Sequence, residues 1–185
     1  MIPVLGGAPG DALREHATLE AEDAVERELP GFGAPLAEVY GYWKSLAWPG
    51  GAPSRADFDP MAIAGALPNV FLAAVEPEDY RFTVVGGRIE ERLGGRFTRH
   101  RLAECEGLID VERTRRDFDA MVRHPVPRLE RLSGEWSRYE WRRFDRLMLP
   151  LVDGGRVAHI LGVIDLCTED RPPPVGYLLR DPPRL

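Results

Sequence analysis

The sequence has little cysteine and no residue pattern typical of a bound metal. Its 185 residues include two cysteines, Cys105 and Cys167, which lie far apart and outside any Cys-x-x-Cys pair. A disulfide framework or a zinc site is therefore not expected. The four histidines show neither a spacing of four residues nor a His-Glu-x-x-His motif, so we expect no metal.

The sequence also lacks a long apolar run and an excess of positive charge. No apolar stretch approaches the roughly 20 residues that span a bilayer, and the first 16 residues have no basic segment followed by an apolar one, as a signal peptide would. Lys44 is the only lysine, and the net charge is -6. We therefore expect a cytoplasmic protein with reduced thiols that binds neither nucleic acid nor a membrane surface.

Motifs of common enzymes are missing as well. Serine occurs four times and never in a Gly-x-Ser-x-Gly motif, which argues against a serine hydrolase. The glycine pair Gly86–Gly87 lacks the spacing of a dinucleotide-binding loop and follows a predicted hairpin. Asp117 and Asp119 lie on different faces of a predicted helix, so they do not form a carboxylate pair. We predict that the protein is not an enzyme.

What the sequence does contain is a regular succession of helix and strand patterns. An acidic helix is predicted over 11–29 and an apolar one over 35–47. Asp59–Pro60 is typical of a helix start. Residues 69–76 and 80–85 predict a hairpin, and "RIEERL", closed by Gly94, predicts a short helix.

The second half of the chain predicts one longer helix followed by three strands. The helix covers 107–124, and the strands cover 126–137, 139–152 and 156–166. Pro150 places its part of the second of these strands at an edge or a bulge. The fold class is therefore α+β, with one antiparallel sheet of five strands and helices on one face.

Five segments carry a resemblance to a known family: "YGYWKSL", "APSRADFDP", "ALPNVFLAAVEP", "YRFTVVGGRIEERLGGRFTRHRL" and "LMLPLVDGGRVAHILGVIDL". Together they resemble a PAS domain over roughly residues 36–167, of a subfamily common in α-proteobacteria whose members are often single-domain proteins of unassigned function. His100 departs from this pattern, because the family usually has glycine there. We divide the chain into an N-terminal extension (1–34), a PAS-like domain (35–168) and a proline-rich tail (169–185).

The resemblance implies a ligand pocket walled by the helix at 107–124. At about 100° per residue, Arg115 falls on the apolar stripe of this helix, where its guanidinium would hold a small acidic ligand through two parallel hydrogen bonds. Alternatively, Arg115 extends to water or pairs with Glu90 or Glu91. The residues expected to bind the ligand are Arg115, Val111, Phe118, Met121, Phe97, Leu149 and Leu161.

The resemblance also implies a sensory or regulatory role in bacterial signalling. Such a module binds a small ligand, a signalling protein partner, or both, without catalysis. Two alternatives stay open: a small enzyme on this scaffold, and an interaction adaptor with a filled core. The cysteine motif of flavin-adduct photosensors is missing around Cys105, so we expect no cofactor. We also expect a homodimer through the N-terminal helix, with Leu36, Tyr40 and Trp43 as its apolar anchor.

Overall fold

In a computed structural model of the chain, the described residues are 14–46, 51–137 and 140–166, without the side chains of 14–17 and 133–143. The predicted tail at 169–185 and residues 1–13 of the predicted extension lie outside these ranges. Within them, no helix is both long enough and apolar enough to cross a membrane.

The described strands form one antiparallel sheet of six strands, in the order β1-β4-β5-β6-β2-β3. The strands are β1 (Arg14–Glu20), β2 (Val70–Val75), β3 (Tyr80–Val85), β4 (Arg128–Ser137), β5 (Glu140–Asp153) and β6 (Arg156–Asp165). The predicted α+β class and antiparallel sheet are confirmed. The predicted number of five strands is one too low.

The additional strand is β1, in the segment for which a helix is predicted. Residues 11–29 are rich in helix formers, but Arg14–Glu20 pairs with β4, and only Glu22–Glu28 is helical. Pairing along β4 supplies backbone hydrogen bonds that outweigh a local propensity of a few tenths of a kcal/mol per residue. β1 therefore joins the same sheet as the later strands, and Val25 and Leu29 pack in the same core as α2.

Four α-helices and five 3-10 turns accompany the sheet in the described residues. The helices are α1 (Glu22–Glu28), α2 (Ala34–Leu46), α3 (Gly87–Leu93) and α4 (Val111–Arg123). The 3-10 turns are Leu29–Gly31, Arg55–Asp57, Pro60–Ile63, Leu67–Asn69 and Leu102–Cys105. The long helix begins later than predicted, because Asp110 caps it by accepting a hydrogen bond from the backbone N–H of Arg113 at 2.9 Å.

Helices cover both faces of the sheet, whereas the sequence predicts helices on one face. On one face, α1 and α2 pack on the odd-numbered leucines of β5. On the other face, α3, α4 and the turn Leu102–Cys105 pack on the strand residues that point the other way, such as Phe71 of β2 and Met148 of β5. Since successive strand residues point to opposite faces, the apolar character of both faces gives the sheet two hydrophobic cores.

The burial of α2 overturns the anchor expected for a dimer. Leu36, Tyr40 and Trp43 are 0%, 4% and 2% exposed in the single chain. The indole Nε1 of Trp43 also donates to the carbonyl of Pro150 at 2.9 Å. These side chains hold α2 on its own sheet, so they are not available to a second subunit. The homodimer itself stays a prediction.

The segment between α2 and β2 has the structural role that its sequence predicts. Ser54 Oγ accepts from the N–H of Ala56 at 3.1 Å, and Asp59 Oδ1 accepts from the N–H of Met61 at 2.9 Å. The carbonyl of Pro53 accepts from Val152 at 2.9 Å. The pairing of β5 with β4 ends at Met148. Pro150 therefore lies at a free edge of the strand, where its missing N–H is tolerated, as predicted.

Candidate functional site

A cavity of about 270 Å³ lies between the sheet and the helices α3 and α4. Its walls are largely apolar and include five phenylalanines. The lining residues are Phe71, Phe82, Val85, Ile89, Leu93, Phe97, Gly107, Leu108, Ile109, Asp110, Arg113, Thr114, Phe118, Leu132, Phe144, Arg146, Ile164 and Leu166. An apolar space with a few polar groups is the usual form of a small-molecule site, and this one lies near the lower end of the usual size range.

The polar part of the cavity wall is built around Arg146 of β5. Arg146 is 7% exposed, and its Nε donates to Glu130 Oε2 of β4 at 2.7 Å. Its Nη2 donates to Asp117 Oδ2 of α4 in a short contact. Arg128 adds a second cation, 3.0 Å from Glu130 and 3.5 Å from Asp117. These ion pairs tie α4 to the sheet at one end of the cavity.

The electrostatics of this cluster keep Arg146 charged. Burial opposes the positive charge, but the carboxylates of Glu130 and Asp117 outweigh it and raise the pKa of the guanidinium above its usual value. Buried charges persist in proteins when they are paired and hydrogen-bonded in this way. The cluster is therefore a fixed set of charges.

The ion pairs of Arg146 use only part of its guanidinium. Nε and Nη2 make the hydrogen bonds described above, whereas Nη1 has no hydrogen-bond partner among the described residues. Nη1 is also not among the fully enclosed polar atoms that lack a partner, so it meets open space, and Arg146 is one of the residues that line the cavity. A guanidinium carries five N–H donors. Arg146 can thus donate to an acceptor inside the cavity without giving up Asp117 or Glu130.

The charges near this end of the cavity nearly balance. The three cations and four carboxylates are Arg113, Arg128, Arg146, Asp110, Asp117, Glu130 and Glu20. Glu20 pairs with Arg128 at 2.8 Å, and its side chain is 55% exposed. Among the residues that the structure describes, the formal sum of this cluster is 3 − 4, or −1, so these seven side chains hold no surplus of positive charge.

The structure separates the residues predicted to bind a ligand into three groups. Phe97 and Phe118 line the cavity. Val111 and Met121 belong to the same core layer but are not among the lining residues. Leu149 and Leu161 are fully buried on the opposite face of the sheet, beneath α2, so their assignment to the pocket is wrong.

Arg115, the predicted ligand anchor, does not line the cavity. Its Nη2 donates to Asp79 Oδ1 in the β2–β3 turn at 2.8 Å, and its Nη1 lies 3.4 Å from the carbonyl of Glu78. It thus pairs with a carboxylate, as the alternative interpretation held, although the partner is neither Glu90 nor Glu91. Burial opposes the charge of Asp79, but hydrogen bonds from Tyr80, Arg115 and Ala103 outweigh it and lower the pKa of this carboxyl.

The predicted position of Arg115 in the cavity wall differs from the observed one because of which residues form the buried face of the helix. The sequence predicts this helix from residue 107, but α4 begins at Val111, so Leu108 is not a helical residue and does not help to define the buried face. The buried face of α4 is centred on Asp117, Phe118 and Met121. Arg113 lies one turn before Asp117 and lines the cavity, whereas Arg115 lies outside it.

Sequence reasoning missed Arg146, although a signal for it exists. The alternation of Leu147, Leu149 and Leu151 indicates one face of β5, so the residues between them occupy the other face. Phe144, Arg146 and Met148 do lie there. An arginine that points into the core from a central strand is uncommon, so its presence at position 146 indicates a polar site.

Two other reactive side chains lie outside the cavity wall. The Cys105 thiol is buried, donates to the carbonyl of Arg101 at 3.3 Å, and has its pKa raised by burial to about 11. His159 belongs to β6, and burial followed by the charge of Arg55 lowers the pKa of its imidazole. Neither is among the residues that line the cavity. In the part of the chain that the structure describes, no three His, Cys, Asp or Glu residues are grouped as metal ligands.

The chain is similar to solved structures at low sequence identity. No curated protein matches the sequence. Among solved structures, the chain is similar to "The light state structure of the blue-light photoreceptor Aureochrome1 LOV", with a TM-score of 0.40 and 14% identity over 59% of this chain and 88% of that one. It is also similar to "an RNA-binding Light-Oxygen-Voltage Receptor", with a TM-score of 0.41 and 16% identity over 63% of this chain, which spans 36% of that one.

The sequence model of the PAS domain matches residues 32–165. The match starts just before α2 and ends with β6, so it includes the sheet strands β2 to β6 and every residue of the cavity wall except Leu166. It covers more than half of the chain, and the chain belongs to the PAS domain family.

Proposed function

We propose that this PAS domain is a non-catalytic sensory module that binds a small organic molecule in the cavity between the sheet and α4. The single observation that carries the proposal is the cavity itself, which is apolar over most of its wall and has a guanidinium with access to its interior. An interaction adaptor with a filled core has no need of such a space, since protein interiors are otherwise close-packed.

The arrangement of reactive groups supports a role without catalysis. Nucleophilic catalysis needs a nucleophile within hydrogen-bond reach of a base. The raised pKa of Cys105 keeps its thiol protonated at neutral pH. The carboxylates bound to Arg146, those of Asp117 and Glu130, are held by Arg146 and Arg128, which favours a structural role for them.

Several finer statements belong to the same proposal. We place the module in bacterial signalling in the cytoplasm and in the α-proteobacterial group of PAS proteins. Its output would pass to a signalling protein partner. A change in cavity occupancy would be transmitted through α4, because the ion cluster ties this helix to β4 and β5.

The cavity can be tested with two adjacent valines of β3. Val85 lines the cavity, whereas Val84 is 37% exposed and does not. Val85→Phe fills part of the space, and Val84→Phe adds the same volume outside it. A panel of small organic compounds would be screened by ligand-detected NMR against the wild type and both variants.

We expect compounds that bind the wild type and Val84→Phe but bind Val85→Phe weakly or not at all. Native mass spectrometry of freshly purified protein adds a second measurement, since a retained molecule should be lost in Val85→Phe. If no compound binds in a way that depends on position 85, the cavity is not a ligand site and the adaptor function is favoured instead.

A further inference from the structure

Arg146 combines two features that bear on the ligand of the cavity. Its buried guanidinium has N–H donors to spare, and its positive charge is already balanced by neighbouring carboxylates. Nη1 of Arg146 has no partner among the described residues, while Nε and Nη2 are held by Glu130 and Asp117. A ligand oxygen placed against Nη1 would complete the hydrogen bonding of Arg146. The question is which kind of oxygen the surroundings favour.

A ligand carboxylate is disfavoured by the charges already present. It would approach Arg146 beside two buried carboxylates, Asp117 and Glu130, which are 7% and 0% exposed. Asp110 adds a third carboxylate, and this one lines the cavity itself. Arg113 and Arg128 offset part of this negative charge, but the formal sum over the described side chains of this cluster is −1 before any ligand enters. An extra negative charge would also have to leave water for a largely apolar space.

A neutral acceptor avoids these costs. A ketone, ester or amide carbonyl accepts a hydrogen bond from Nη1 without adding charge, and hydrogen bonds to charged donors are stronger than those between neutral groups. Phe71, Phe82 and Phe97 then receive the apolar remainder of the molecule. At about 30 Å³ per non-hydrogen atom, which is the share of one water in the liquid, the 270 Å³ cavity holds on the order of nine or ten such atoms.

We propose that the ligand is an uncharged, medium-sized carbonyl compound whose oxygen accepts a hydrogen bond from Nη1 of Arg146. This inference rests on the proposed function, because it names the ligand class of the same cavity. It replaces the small acidic ligand and the Arg115 anchor predicted from the sequence.

The test uses three compounds whose ten non-hydrogen atoms are connected in the same branched arrangement. These are nonan-2-one, octanoate and 2-methylnonane, which carry a ketone, a carboxylate and a hydrocarbon end at one position. Dissociation constants would be measured at pH 7 by isothermal titration calorimetry. We expect the ketone to bind about tenfold more tightly than the hydrocarbon, as one hydrogen bond to a charged donor predicts, and more tightly than octanoate.

Two variants locate the interaction. Arg146→Lys keeps the positive charge for Asp117 and Glu130 but replaces the planar fork by a compact ammonium, so the preference for the ketone over the hydrocarbon should fall toward one. Arg115→Met is the matched control, since Arg115 pairs with Asp79 outside the cavity, and it should leave all three dissociation constants unchanged. The Arg146 guanidinium resonances in a ¹⁵N NMR spectrum should shift with the ketone and not with the hydrocarbon.

The possible results separate this inference from the proposed function. If none of the three compounds binds and no other compound depends on position 85, the proposed function fails. If the hydrocarbon binds as tightly as the ketone, or octanoate binds most tightly, the cavity is a ligand site but the neutral carbonyl class is wrong. Should Arg146→Lys fail to fold, the comparison of the three compounds on the wild type still decides.

Discussion

Replacing Gly162 by alanine tests how tightly the sheet packs beneath the cavity. Gly162 of β6 lies opposite Phe71 of β2, and a Cβ atom at this position would lie 1.9 Å from Phe71 Cζ and 2.0 Å from Cε1. Carbon atoms in contact are normally about 3.5–4.0 Å apart. The ring of Phe71 must therefore move by about 1.5–2 Å.

The surroundings of Phe71 make this movement costly. Its ring packs against Phe82 and Phe118 with centroid distances of 5.9 Å to each, and the backbone of β2 is held between β3 and β6. Overpacking of a dense core costs about 1–3 kcal/mol, from which the loss of glycine flexibility in the unfolded chain subtracts about 0.4–1 kcal/mol. We expect Gly162→Ala to lower the free energy of unfolding by about 1–2 kcal/mol.

Gly41 provides a control with the opposite expected sign. It lies inside α2, where a Cβ would meet no atom within 4 Å, and glycine in a helix interior is less favourable than alanine by about 0.5–1 kcal/mol. Gly41→Ala should therefore raise the free energy of unfolding in urea denaturation. Gly162→Ala should also weaken ligand binding, because Phe71 lines the cavity. A Gly162→Ala protein as stable as the wild type, with unchanged binding, would refute the packing argument.

Three other expectations concern the charges and the assembly. Glu130→Gln should reduce the free energy of unfolding by about 3–5 kcal/mol, because it removes a buried partner of Arg146. Glu26→Gln changes an exposed pair with Lys44 and should cause no measurable change, so equal losses in urea denaturation would contradict this expectation. The pKa of His159 is lowered in the folded chain, so the unfolded chain binds the proton first as the pH falls. The free energy of unfolding should therefore decrease below about pH 6.5, and His159→Phe should make it depend less on pH. The same pH dependence in the variant and the wild type between pH 7.5 and 5.5 would count against this expectation. The homodimer prediction would be supported by a dimer in sedimentation velocity at tens of micromolar, but Trp43→Ala should destabilise the chain rather than dissociate it, since Trp43 is buried in one chain.

Much of the fold was predictable from the sequence because its signals are local. The caps at Ser54 and Asp59, the hairpin β2–β3 and the left-handed glycine Gly94, with a φ of 70°, each depend on a few adjacent residues. The strand β1 was not predictable in this way. Its partner β4 begins 108 residues after Glu20, at Arg128, and no local pattern indicates such a pairing.

The candidate site was predicted only in outline, for a related reason. Phe97 and Phe118 were recognised because they are apolar residues in predicted elements that face a core. Arg146 lines the cavity because α4 covers the face of β5 opposite Leu147, and Arg113 lines it because the buried face of α4 includes Asp117, one turn further along the helix. Neither fact follows from local sequence signals, and the helix begins four residues later than predicted, at Val111. Electrostatic neutrality at the cavity end requires knowing which charges meet, which the sequence order does not show.

The hydrogen bond from Trp43 to Pro150 spans 107 residues, and this separation has a consequence for synthesis. The apolar face of α2 leaves the ribosome well before the strands that cover it, β5 and β6, have been made. At translation rates of about 5–20 residues per second, α2 waits roughly 5–20 s for its partner strands. During that time Leu36, Tyr40 and Trp43 form an exposed apolar surface on the nascent chain, which is the kind of surface that chaperones bind.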